Sequence, residues 1–195
     1  MLRKLSLLCA VSVCLLSVPT LAESLEEIVK ETVTFSSPCG SSNISAKVTS
    51  AVYQAGDEYI YAYQIFDVVG GEFSWFSVGL LNNPVINDLL VGDRGFLTPA
   101  GTVAPMPGSW QVSSAVDSVD ALFMPNKIGG SGEVSQWLTF TSNWGPGEGI
   151  GALANLSGST PSFLSGKVYI PIIPEPMTLV LLGAGALVLR KKRAN

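Results

Sequence analysis

From about residue 45 the chain alternates apolar and polar positions with a period of two. The segments 46–54 (AKVTSAVYQ), 58–68 (EYIYAYQIFDV) and 72–81 (EFSWFSVGLL) are rich in β-branched and aromatic residues. The short pieces AGD and VGG between them are turn chemistry. Segments 109–116, 119–125, 133–142, 149–157 and 163–172 continue the pattern, divided by longer Gly-, Pro- and Asn-rich stretches. A parallel sheet needs helices between its strands, and these connections hold no amphipathic stretch of helix length. The pattern therefore predicts an all-β fold, an antiparallel sandwich of immunoglobulin-like or jelly-roll-like kind. Residues 24–33 read two ways. Ser24 and Glu27 have capping-box spacing, and Leu25, Ile28, Val29 and Val33 share a helical face. The β-branched run ETVTFSS that follows argues for a strand instead.

Both ends break the alternation. At the front, Arg3 and Lys4 precede an apolar run over 5–18, and Thr20-Leu21-Ala22 supplies small residues before Glu23. This is the layout of an export leader, a signal helix cut between Ala22 and Glu23. It implies passage through the Sec export machinery and removal by signal peptidase. Cys9 follows Leu8 and Cys14 follows Val13, so neither has the small neighbour of a lipoprotein signal. At the back, an unbroken apolar run of 13 residues covers 177–189, with Met177, Leu179, Val180, Leu181, Leu182, Leu187, Val188 and Leu189 as its bulk. As a helix it would reach roughly 20 Å, against a bilayer core of roughly 30 Å. Arg190, Lys191, Lys192 and Arg193 follow at once, which argues against a core helix and favours a cytoplasmic end. The expected organisation is a signal peptide over 1–22, a β domain over 23–173 and a C-terminal segment over 174–195.

Charge narrows the function classes. Between Glu23 and Pro174 there are 5 basic residues against 14 acidic ones, a net charge of −9. Such a body repels phosphate backbones and excludes nucleic acid as a partner. The chain has no histidine, which excludes Ser-His-Asp and Cys-His catalysis and His-ligated zinc. Cys39 is the one cysteine outside the leader, so the body has no internal disulfide. The acids Asp57, Glu58, Asp67, Asp88, Asp93, Asp117 and Asp120 lie near strand ends and match no ordered ligand loop. They read as solvated turn residues rather than as a glycosidase pair or a calcium site. The expectation is no metal, no cofactor and no catalytic residue. Tyr59, Tyr61 and Tyr63 alternate along one strand face, and Trp75, Trp110, Trp137 and Trp144 add flat rings, Trp137 being taken with the tyrosines. Together they form a candidate glycan-stacking face, although packing within the sandwich accounts for them more simply.

The tail carries a resemblance. Pro174-Glu175-Pro176, the apolar segment 177–189 and the basic cluster 190–193 resemble, in that order, the PEP-CTERM sorting signal. The same C-terminal segment is also catalogued on ice-binding proteins. Those carry regular threonine-rich repeats, and this body has none. The resemblance covers about 22 residues at the end of the chain. It implies recognition by exosortase, a membrane-embedded cysteine transpeptidase-like enzyme, with Pro174, Glu175 and Pro176 as the recognition motif. It also implies a setting of exopolysaccharide and biofilm matrix. The expected protein is exported, held transiently at the inner membrane, then released to the surface or matrix in a structural, adhesive or exopolysaccharide-associated, non-enzymatic role. The rival is a secreted module that binds carbohydrate or acts on it through carboxylates.

Overall fold

The computed structural model describes residues 25–37, 43–92, 94, 95, 97, 101–113, 117–129, 132–156 and 162–173. The leader, the Ala22/Glu23 cut, Cys39 and the whole segment 174–195 lie outside the described residues. Strands carry the described fold. They are β1 (Glu26–Ser36), β2 (Ser45–Ala55), β3 (Glu58–Val69), β4 (Glu72–Phe73), β5 (Trp75–Gly79), β6 (Asn87–Val91), β7 (Gln111–Ser113), β8 (Ser118–Leu122), β9 (Ile128–Gly129), β10 (Leu138–Ser142), β11 (Pro146–Asn155) and β12 (Ser162–Pro171). Among the described residues no helix is long and apolar enough to cross a membrane. The segment after the leader is a strand, not a helix. β1 pairs with β2 from Glu26↔Gln54 to Ser36↔Ser45, with one bulge at Glu27/Val29.

Ten of these strands form one antiparallel sheet in the order β6-β10-β3-β2-β1-β12-β11-β5-β8-β7. The sheet folds in half at its middle. β1 and β12 pair at Ser36↔Ser165. β12 then swings across the inner side of the first half. The Tyr169 amide donates to Ser50 Oγ of β2 at 2.9 Å, and the Tyr63 hydroxyl of β3 donates to the Tyr169 carbonyl at 2.5 Å. The result is a barrel-like sandwich with β6, β10, β3, β2 and β1 in one layer and β12, β11, β5, β8 and β7 in the other. On the far side Trp110 Nε1 donates to the Thr139 carbonyl of β10 at 2.8 Å, tying the β7 edge back to the first layer.

Period-two alternation fills the space between the layers. Val48, Val52, Tyr61, Tyr63, Ile65 and Phe140 point inward from the first layer; Phe76, Val78, Val119, Leu153, Leu164 and Ile170 answer from the second. The Tyr61 and Phe140 rings stack at 5.1 Å, and Tyr63 touches Phe76 across the layers at 5.9 Å. A ribbon of β4 and β9 places Phe73 and Ile128, both fully buried, in the same core.

The first layer is also covered on its outside. Leu97 and Trp137 pack over Ala51, Tyr53, Ile60 and Ala62, making a second, smaller core. Ser135 fixes this cover to β3. Its Oγ accepts the Ile65 amide at 2.8 Å, and its own amide donates to the Ile65 carbonyl at 2.8 Å. The second layer leaves part of its outer face in solvent, with Phe163, Lys167, Ile150 and Gln111 exposed, while Ser77, Ser118 and Ala154 on the same face are buried.

Candidate functional site

The structure redistributes the aromatic residues singled out above. Tyr59, Tyr61 and Tyr63 do share one face of β3, but it is the inner one. Tyr61 and Tyr63 are fully buried, and Tyr59 is partly buried against the core. The Tyr61 hydroxyl donates to the Trp144 carbonyl at 2.7 Å, so both fully buried phenols, Tyr61 and Tyr63, find a backbone acceptor. Burial pushes both tyrosines well above the usual phenol range, with the neighbouring tyrosine adding to the shift. Trp137 is buried on the opposite side of the same layer, in the outer cluster. These four residues therefore form no common surface for a sugar. The reason is that strand β3 is covered on both sides, and alternation alone does not show which faces are covered.

Of the turn acids, Asp67, Asp88 and Asp117 are held by cations or by backbone geometry, and Asp93 lies outside the described residues. Lys47 pairs with Asp67 at 2.8 Å, Arg94 with Asp88 at 2.7 Å, Lys127 with Glu72 at 3.3 Å and Lys167 with Glu148 at 2.6 Å. Asp67, Asp88 and Asp117 adopt φ of 48°, 45° and 46°. Asp tolerates this left-handed conformation because its short polar side chain bonds locally. Arg94 does more than pair. Its Nε donates to Thr139 Oγ1 at 2.6 Å, which fastens the segment after β6 to β10. Among the described residues no three His, Cys, Asp or Glu side chains gather as a metal site would require.

Three surface features remain. The first is a groove of about 750 Å³ at the end of β1–β3, lined by the Lys47–Asp67 pair, Thr34, Ser45 and the Gly70-Gly71 backbone. The second is the seam where β1 and β12 diverge. There the Tyr169 hydroxyl donates to Glu31 Oε2 at 3.2 Å beside the Lys167–Glu148 pair. Partial desolvation and the Glu31 carboxylate raise the Tyr169 phenol, and the Glu148 hydrogen bond and charge raise Lys167. The third is a groove of about 330 Å³ on the open face of the second layer. Trp75, Gln111, Asp120 and Leu122 line it, with Met106 and Pro107 along one side. The Met106 amide donates to the Leu122 carbonyl at 2.6 Å, and Ser109 Oγ accepts the Leu122 amide at 3.0 Å. Those bonds staple the 106–109 turn to β8, so this groove has a fixed wall. Sequence reading counts Trp75 among the flat aromatic rings, but does not place it on the outer face of the second layer, apart from the three tyrosines. The usable signal was that Phe76 and Val78 alternate with Trp75 and Ser77.

Comparison of the chain with protein-family models, with curated proteins and with solved structures finds no match in any of the three.

Proposed function

We propose that this chain is an exported protein of the bacterial surface or extracellular matrix, sorted by its C-terminal segment and non-enzymatic in role. The observation that carries the reading is the ordered triple at the end of the chain, Pro174-Glu175-Pro176, then 177–189, then Arg190, Lys191, Lys192 and Arg193, on a chain that opens with an export leader. A 13-residue apolar run is short for a permanent span and suits a temporary hold. In this reading the Sec machinery and signal peptidase act at Ala22/Glu23. An exosortase-type enzyme then acts at the Pro-Glu-Pro motif. The released body is structural, adhesive or associated with exopolysaccharide. The body supports such a role: a disulfide-free sandwich with a continuous aromatic core suits a scaffold outside the cell.

Intact-mass spectrometry of the protein recovered from the producing bacterium's surface and medium tests the reading. The expected chain begins at Glu23 and has lost the apolar and basic parts of the tail. A mature chain that still ends at Asn195 would sink it.

A further inference from the structure

We infer that the open outer face of β12-β11-β5-β8-β7 is a binding platform for an extended, uncharged polysaccharide. The biological setting rests on the matrix reading above; the site itself rests on strand register. Phe163↔Ala154, Ala154↔Trp75 and Trp75↔Leu122 are direct cross-strand partners, so these four residues form one row across four strands. The next row is Ser165, Ala152, Ser77, Asp120 and Gln111, joined by the same ladders. Ala154 and Ser77 are buried within the two rows, so the groups a ligand can reach are the Phe163 and Trp75 rings in the first and Ser165, Asp120 and Gln111 in the second.

The spacing selects the ligand. Strands lie about 4.8 Å apart, which sets the Phe163 and Trp75 positions about 10 Å apart, with only the methyl group of Ala154 between them. That separation suits alternate sugar rings, with one ring between them, along a flat β-linked chain. The first row stacks on the apolar ring faces, and the second reaches the equatorial hydroxyls. Phe163 is 48% exposed at the start of β12, and Trp75 is partly exposed in the groove walled by Met106 and Pro107. Asp120 offers carboxylate oxygens to hydroxyl donors, and Ser118 Oγ, 3.0 Å from both of them, holds it in place.

Charge excludes the acidic polymers. Asp120 and the Lys167–Glu148 pair lie on this face; the pair is neutral overall, so Asp120 and the strongly acidic body around it are what repel uronate- or sulfate-bearing chains. The first row is apolar from Phe163 through Ala154 and Trp75 to Leu122, so the hydroxyl, carboxylate and amide groups beside it are what favour a polysaccharide over a protein partner.

Affinity electrophoresis of the full chain, in a detergent without a sugar headgroup, tests the proposal. The gels contain hydroxyethylcellulose, a soluble mixed-linkage β-glucan or alginate. Both neutral polymers should retard the chain and alginate should not. Trp75→Ala and Phe163→Ala should each weaken retardation about tenfold, the loss of one stacked ring. Trp75→Phe should keep most of it, and Leu90→Ala, on the other layer, should keep all of it. If Trp75→Ala fails to fold, Phe163→Ala decides, because its ring is the more exposed. The proposal is overturned by no retardation in either neutral polymer, by stronger retardation in alginate, or by ring variants that bind as the parent does. It is also overturned if the ring variants instead abolish self-association of the chain in sedimentation. Retardation by a chain that keeps Asn195 in vivo would retain the platform and remove the sorting reading. A processed chain that no neutral polymer retards would do the reverse.

Discussion

Phe35 shows how much of this fold depends on side chains that are missing. Its ring lies against Gly151 and Gly166, which face each other across β11 and β12. A Cβ at Gly166 would stand 2.3 Å from Phe35 Cδ1, and one at Gly151 would stand 2.9 Å from Cζ. The ring is fully buried and has no room to retreat. Gly166→Ala should therefore destabilise the protein by about 1–3 kcal/mol through overpacking, measured by urea denaturation. Phe35→Ala should cost more, about 3–5 kcal/mol, because it opens a cavity at the fold line of the sheet. In the sequence these glycines look like a loop motif of little content. Their spacing held the answer: Gly147, Gly149 and Gly151 alternate, so all three face inward, beneath Ile172, Ile170 and Phe35.

At the scale of elements, β3 is the most heavily used strand. Its inner face meets the aromatic core and its outer face meets Trp137 and Leu97, while Ser135 takes the place of a strand partner at Ile65. Ser135→Ala would leave the Ile65 amide without its 2.8 Å acceptor in a fully buried setting. The expected loss is about 1–3 kcal/mol, with faster hydrogen exchange at the Ile65 amide than at its strand neighbours. Elements were legible in proportion to how local their causes are. The segments 46–54 and 58–68 became β2 and β3 almost residue for residue, because alternation and the AGD turn specify a hairpin by themselves. The stretch 72–81 divides at Ser74, whose amide and carbonyl bond to Ala154 and Phe123 rather than continuing one ladder. β6 lay hidden in "NDLLVGD" because what holds it is distant: it pairs with β10 (Leu138↔Val91), and Arg94 beside it bonds to Thr139. The candidate sugar face suffered the same blindness. Period two shows that residues share a side of a strand, and only tertiary packing shows which side meets water.

The whole molecule carries a pH dependence that follows from its phenols. Burial and the nearby Glu27 carboxylate push Tyr53 up to about 12, and burial raises Tyr61 and Tyr63 further still. Each raised phenol stays protonated in the folded state while the unfolded chain ionises near pH 10. These groups therefore add no slope below pH 10, where both states are neutral. Above it, each should remove about 1.4 kcal/mol of stability per pH unit. The contribution from Tyr53 should level off near pH 12. Urea midpoints should therefore be flat with respect to these groups from pH 8 to 9.5 and fall steeply by pH 11. A Tyr53→Phe variant should fall less steeply over that window. A midpoint unchanged at pH 11 would show that the phenols are not buried as described.

The fold line between β1 and β12 has a mechanical consequence. The two strands are adjacent and antiparallel, so β1 begins and β12 ends at the same pole of the sandwich. Tension applied between those two ends would widen a gap that is already open, since the one ladder pair of the two strands, Ser36↔Ser165, lies at the other pole. A load entering through the outer face of the second layer and leaving through β12 would act differently. It would run along the β11–β12 ladder, which is paired over all 10 residues of both strands. That ladder would be loaded in shear, with its hydrogen bonds resisting together. The same molecule is thus weak to being pulled open by its ends and strong when it is gripped by the face.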